Sequence, residues 1–176
     1  MSAYLLCGAA ISEELLIAVA SNFSGPMAEL VKRFEAQTGH DIQVAYGSSG
    51  RLFAQIRSGA PFQIFLSADQ DKPARLVDLG LADPASRFTY ARGQLVLWSA
   101  DSSREVVDSN ALLSSDVQWI ALANPRLAPY GTAAAEVLDE LNLSAHLSGK
   151  IVQGENIAQT LQFVESGNAQ LGFVAR

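Results

Sequence analysis

A strict alternation runs through this chain. A short apolar run is followed by a break rich in glycine, serine or asparagine, and then by a stretch with helical periodicity. ELLIAVA (14–20) reads as a buried strand. In SGPMAELVKRFEAQTG, which follows it, Met27, Leu30, Val31 and Phe34 fall on one helical face. Pro26 suits the first turn of that helix and Gly39 its stop. DIQVAY (41–46) predicts a second strand, RLFAQIRSG a short helix ended by Gly59, FQIFLSA (62–68) a third strand, and KPARLVDLG a helix with Pro73 near its start. Such alternation implies parallel strands joined by right-handed helical crossovers.

The second half follows the same rule without repeating the sequence. GQLVLWSA (93–100) and QWIALANP (118–125) read as strands. YGTAAAEVLDELNL reads as a helix with Ala134, Val137, Leu138 and Leu141 on one face. KIVQG is a short strand, ENIAQTLQFVESG a helix through Ile157, Leu161 and Val164, and AQLGFV (169–174) a last strand. The polar segment around 84–92 is the natural divide, giving one α/β lobe over residues 13–90 and another over 91–176.

Composition excludes several classes. Of 176 residues, 49% are apolar and 17% charged, which suits a globular chain with a real core. The net charge of −6, with no basic cluster, argues against nucleic acid, whose phosphates demand Lys and Arg. No apolar run reaches the roughly 18–20 residues that span a bilayer. A single cysteine, Cys7, allows no internal disulfide and no cysteine-based metal site. His40 and His146 stand alone and read as surface turn residues rather than metal ligands. Ahead of the first strand, YLLCGAAIS is small and apolar, and Ala10-Ile11-Ser12 resembles the small-x-small end of a secretory signal. Residues 1–12 are therefore read as a signal-peptide remnant. Leu6 before Cys7 argues against a lipoprotein anchor.

Ligands of open α/β sheets collect beyond the carboxyl ends of the strands, where helices begin. Here those junctions read Ser21-Asn22, Gly47-Ser48-Ser49-Gly50, Asn124-Pro125 with Ala128-Pro129-Tyr130-Gly131-Thr132, and Gly154-Glu155-Asn156-Ile157. Free N–H groups and the positive dipole end at a helix start hold anions without a formal cation, and Ser and Asn add donors. The same residues are also ordinary caps and turns, and composition leaves the two readings nearly even. Catalytic patterns are lacking. GSSG is not the G-x-S-x-G nucleophile elbow, no P-loop occurs, and no carboxylate pair stands out. Asp69-Gln70-Asp71 reads as a capping turn before Lys72-Pro73.

Six segments together carry a resemblance: AVASNFSGPM (18–27), YGSSGRLFAQI (46–56), GAPFQIFLSAD (59–69), NPRLAPYGTAA (124–134), GENIAQTL (154–161) and LGFV (171–174). In order and spacing they resemble the periplasmic molybdate-binding proteins of bacterial ABC transporters, which have the two-lobed type II periplasmic-binding-protein fold. The resemblance implies that each lobe is a mostly parallel sheet flanked by helices. It implies a periplasmic monomer, not an enzyme, that binds molybdate or tungstate between its lobes without a cofactor and delivers it to a membrane permease. The only metal expected is the oxyanion's own molybdenum or tungsten. Carried over by position, the ligand-binding residues are Ser21, Asn22 and Ser49 in the first lobe and Tyr130 and Ile157 in the second, Ile157 through its N–H. Ser48 reads as a turn or cap residue, and Arg51 and Arg126 as solvated rim residues that steer the anion in.

Three departures from the family are visible. Gln63 stands where many relatives have Asp. Ala175 stands where some have a tyrosine ligand, a hydroxyl that Tyr130 is expected to supply instead. Family chains continue past LGFV through a segment that returns to the first lobe, so the resemblance implies a C-terminally shortened chain whose first lobe is incomplete. Two alternatives stay open: a serine-dependent hydrolase in the same crevice, and a binding protein for sulfate or another small solute. Ligand-dependent stabilisation without ester turnover would separate binding from hydrolysis.

Overall fold

The computed structural model describes residues 14–104 and 108–176. The signal-remnant reading of residues 1–12, like Cys7, lies outside them. Each of the seven segments read as strands between residues 14 and 174 contains one. β1 (Glu14–Ala20), β2 (Asp41–Gly47) and β3 (Ile64–Leu66) form a parallel sheet in the order β2-β1-β3. β4 (Leu95–Trp98), β5 (Ile120–Ala123), β6 (Ile151–Gly154) and β7 (Leu171–Ala175) form a second sheet in the order β4-β7-β5-β6. Only β4, against β7, runs antiparallel. We call these two sheets with their helices the first and second lobes.

The helices are α1 (Ser24–Thr38), α2 (Ser49–Arg57) and α3 (Asp71–Asp78) in the first lobe, and α4 (Pro129–Glu140), α5 (Ser144–Leu147) and α6 (Ile157–Glu165) in the second. α1 ends as its sequence predicts. Gly39 takes φ 73° and donates its N–H to Glu35 O at 2.9 Å. α2 begins two residues earlier than the periodicity suggests, so Ser49 and Gly50 belong to its first turn rather than to a loop. Asp69 does act as a cap before α3, accepting from Lys72 N–H at 3.1 Å while pairing with Lys72 Nζ at 2.5 Å.

β3 is shorter than its apolar run because the chain turns before it, Phe62 N–H donating to Ala60 O. Gln63 explains itself here. Its N–H donates to Leu16 O at 3.0 Å, and its Oε1 accepts Leu16 N–H at 2.8 Å. The side-chain carbonyl thus continues the pairing with β1, a task that needs an acceptor but no charge.

The second lobe has the larger core, with Leu112, Ile120, Leu138, Leu147 and Leu171 all nearly inaccessible. In the first lobe Ile17, Val19 and Met27 are buried, with Leu15, Phe23, Val31, Ile42, Val44 and Leu66 packed around them. The predicted face of α1 is only partly covered: Met27 is buried, but Leu30 is 51% and Phe34 45% exposed. His40 differs from a plain surface residue in stacking on the Phe34 ring, with centroids 6.3 Å apart.

Candidate functional site

Residues beyond the carboxyl ends of five strands converge on one small cavity. The first lobe contributes Ala20, Ser21, Asn22, Gly47, Ser48, Ser49 and Ala68; the second contributes Ala128, Pro129, Tyr130, Asn156 and Ile157. All five residues singled out from the sequence line it. Its cavity volume of about 10 Å³ is far below the roughly 300–1,000 Å³ of pockets for drug-sized ligands, so the occupant is small. No lining residue is charged.

Local structure explains why donors face inward. Ser49 and Ile157 are the first residues of α2 and α6, and Tyr130 is the second of α4. Their N–H groups precede the intrahelical ladder. At α6 the Asn156 carboxamide caps the following two N–H groups, those of Ala158 and Gln159 at 3.0 and 3.1 Å, and so leaves that of Ile157 outside the cap. Ser21 opens a short 3₁₀ turn (Ser21–Phe23) directly after β1.

The side chains divide by what already holds them. Ser49 Oγ accepts Ala68 N–H at 3.0 Å, which fixes the hydroxyl and leaves its proton to donate elsewhere. Ser48 occupies the N-cap position of α2, yet its hydroxyl caps nothing. It is 2% exposed, and its Oγ has no partner. The expectation of a cap is therefore corrected: Ser48 is a buried, uncommitted hydroxyl on the cavity wall, and Gly-Ser-Ser-Gly contributes two hydroxyls rather than one. No sequence signal separates the two serines, because both fit a helix start.

Asn22 lies against the Tyr130 hydroxyl, one group from each lobe. Burial raises the Tyr130 hydroxyl above the usual tyrosine range, and the Asn22 amide partly offsets this. Tyr90 is raised likewise, by burial first and by Tyr130 second. Both therefore keep their protons at neutral pH. Tyr90 is anchored to the first lobe, donating to Ser67 O at 2.9 Å and meeting the Phe23 ring edge-on. Asn22 Oδ1 is buried without a partner. Ala175 packs on the same Ala123, Ala128 and Ile157 cluster as Tyr130. A Cβ on Gly93 would lie 1.9 Å from Tyr130 Oη, so the bare backbone at 93 makes the seat for that hydroxyl.

At the rim, Arg126 is exposed, as expected. Arg51 is not simply solvated: its Nη1 meets Glu155 Oε1 of the other lobe at 2.5 Å.

Comparison with known proteins gives a consistent picture. The family described as bacterial extracellular solute-binding protein matches residues 15–176. The chain is 47% identical over 166 residues to the molybdate-binding protein ModA of Rhodobacter capsulatus, covering 94% of this chain and 66% of that protein. It is 46% identical over 176 residues to the ModA of Azotobacter vinelandii, covering 99% of this chain and 69% of that one. The solved structure of the Azotobacter vinelandii periplasmic molybdate-binding protein superposes with a TM-score of 0.86 at 43% identity, over 92% of this chain and 71% of that one.

Proposed function

The chain belongs to the bacterial extracellular solute-binding protein family, and from that premise we propose that it is a periplasmic molybdate- or tungstate-binding protein. It takes the oxyanion into the cavity between its lobes as a monomer and delivers it to the permease of an ABC transporter. It binds its ligand and does not transform it. The observation that carries this reading is a small cavity, walled from both lobes by neutral hydrogen-bond donors and by no charged side chain.

A dianion leaving water loses a large solvation energy, which must be replaced bond by bond. N–H and O–H groups aimed at ionised oxygens give short, charge-assisted bonds that do this without a cation. The hydroxyls of Ser21, Ser48 and Ser49 and the N–H groups at the starts of α2, α4 and α6 form such a set. Asn22 completes it. A half-turn of its amide puts Oδ1 on the Tyr130 hydroxyl and Nδ2 toward the anion, leaving no buried acceptor idle. Tyr130 then acts from the second lobe by orienting the donor of the first. The same wall does not favour the hydrolase reading, because no histidine, carboxylate or lysine stands beside Ser48 or Ser49 on it to act as a base.

Selectivity follows from the bonding. Molybdate, tungstate and sulfate are fully ionised at neutral pH, so every oxygen accepts. Phosphate retains a proton, and apart from serine hydroxyls that would have to turn, its O–H finds almost no acceptor in a donor cavity, at a cost of about 1–3 kcal/mol. Titration calorimetry with molybdate, tungstate, sulfate and phosphate tests the reading. Molybdate and tungstate are expected to bind, and phosphate to compete at least about fivefold more weakly. Phosphate displacing molybdate at equal concentration would overturn the donor cavity. Sulfate doing so would overturn the molybdate assignment and leave the oxyanion site standing.

A further inference from the structure

The first turn of α2 faces two ways. Ser49 turns into the cavity, while the next two residues reach across to the other lobe. Gly50 donates its N–H to Leu127 O at 2.8 Å, and Arg51 pairs with Glu155 at 2.5 Å. Leu127 lies between β5 and α4, and Glu155 between β6 and α6, so the contacts land on the two loops that present Tyr130 and Ile157. We propose that Gly50, Arg51 and Glu155 form a clasp that positions the lobes in their closed arrangement, and so sets how long a bound anion is retained. This deepens the oxyanion-binding reading and rests on it.

Gly50 has no conformational reason to be glycine. Its φ is not positive, and alanine is the better residue in a helix. What it provides is clearance. A Cβ would stand 2.8 Å from Leu127 O and 3.1 Å from Leu127 Cα, backbone atoms that cannot swing aside. Arg51, as a cation in the first turn of α2, opposes the helix dipole, and its carboxylate partner across the cleft offsets this. With side chains 57% and 42% exposed, the pair is weak and screened by salt. Weakness suits a contact that must break at each release. When the lobes part, Arg51 is uncovered at the cavity mouth and attracts an incoming anion. Closure returns it to Glu155.

Dissociation kinetics with molybdate as probe, together with an interlobe distance from spin labels on α1 and α4 in ligand-free protein, test the clasp. Glu155→Gln is expected to raise the dissociation rate about two- to fivefold and to flatten its salt dependence, with no further rise when Arg51→Gln is added. Gly50→Ala is expected to raise the rate at least about tenfold and to lengthen the interlobe distance, while the ligand-free unfolding temperature holds or rises. Unchanged rates in both single variants would overturn the proposal. So would a Gly50→Ala effect that merely tracks lost thermal stability. If the parent chain fails to bind molybdate, the ligand reading falls by itself, and the label distance still decides. A longer distance in Gly50→Ala supports the clasp, and an unchanged one overturns it.

Discussion

Two adjacent serines, alike in sequence, do different work. Ser49 holds Ala68 N–H, so Ser49→Ala removes a donor of the proposed ligand set and also leaves a backbone donor unpaired. It is expected to cost about 1–3 kcal/mol in both anion affinity and unfolding free energy. The Ser48 hydroxyl holds nothing within the protein, so Ser48→Ala is expected to weaken binding by a similar amount while stability stays within about 0.5 kcal/mol. Calorimetry paired with urea unfolding separates the two, and full affinity in Ser48→Ala would return that residue to the role of a turn. The Asn22–Tyr130 pair makes a second residue-level prediction. Tyr130→Phe leaves Asn22 without its orienting partner and is expected to weaken binding, and Asn22→Asp, which places a carboxylate against the anion, to abolish it. Because the Tyr130 proton is held above the usual tyrosine value of about 10, affinity should be lost to its ionisation only on the alkaline side of that value. A fall in affinity between neutrality and that value would trace to another group.

Elements were legible in the sequence wherever one local rule governed them. The apolar runs mark all seven strands among the described residues, and Gly39 marks the end of α1. The junctions that line the cavity were legible because strand ends followed by helix starts are read locally. Contacts between lobes were not. Arg51 and Glu155 stand 104 residues apart, and nothing in either local pattern announces the other. Periodicity likewise located the apolar face of α1 but could not say what covers it, and two of its four members are largely exposed. Stability should follow burial and not pattern. Met27→Ala is expected to cost about 2–5 kcal/mol, and Leu30→Ser or Phe34→Ser much less, on the order of 0.5 kcal/mol. Equal losses at all three positions would mean that the exposed face is covered in solution.

At the scale of the whole molecule, two sheets with separate cores present their strand ends to each other, and the cavity exists only where they meet. The wall takes residues from both lobes, Ser21, Asn22, Ser48 and Ser49 from one and Tyr130, Asn156 and Ile157 from the other. The neutrality of the wall has a further consequence, for the electrophoretic behaviour of the complex. With no cation buried beside the ligand, and with Arg51 already matched by Glu155, nothing cancels the charge that enters. No wall group titrates near neutrality, so no proton need be taken up either. The loaded protein should therefore carry the full double charge of the oxyanion on top of its own −6, and should run measurably faster toward the anode on a native gel than the empty form. Its calorimetric binding enthalpy should be the same in buffers of different ionisation enthalpy. An unshifted band, or an enthalpy that tracks the buffer, would mean that a counter-ion or proton travels in with the anion.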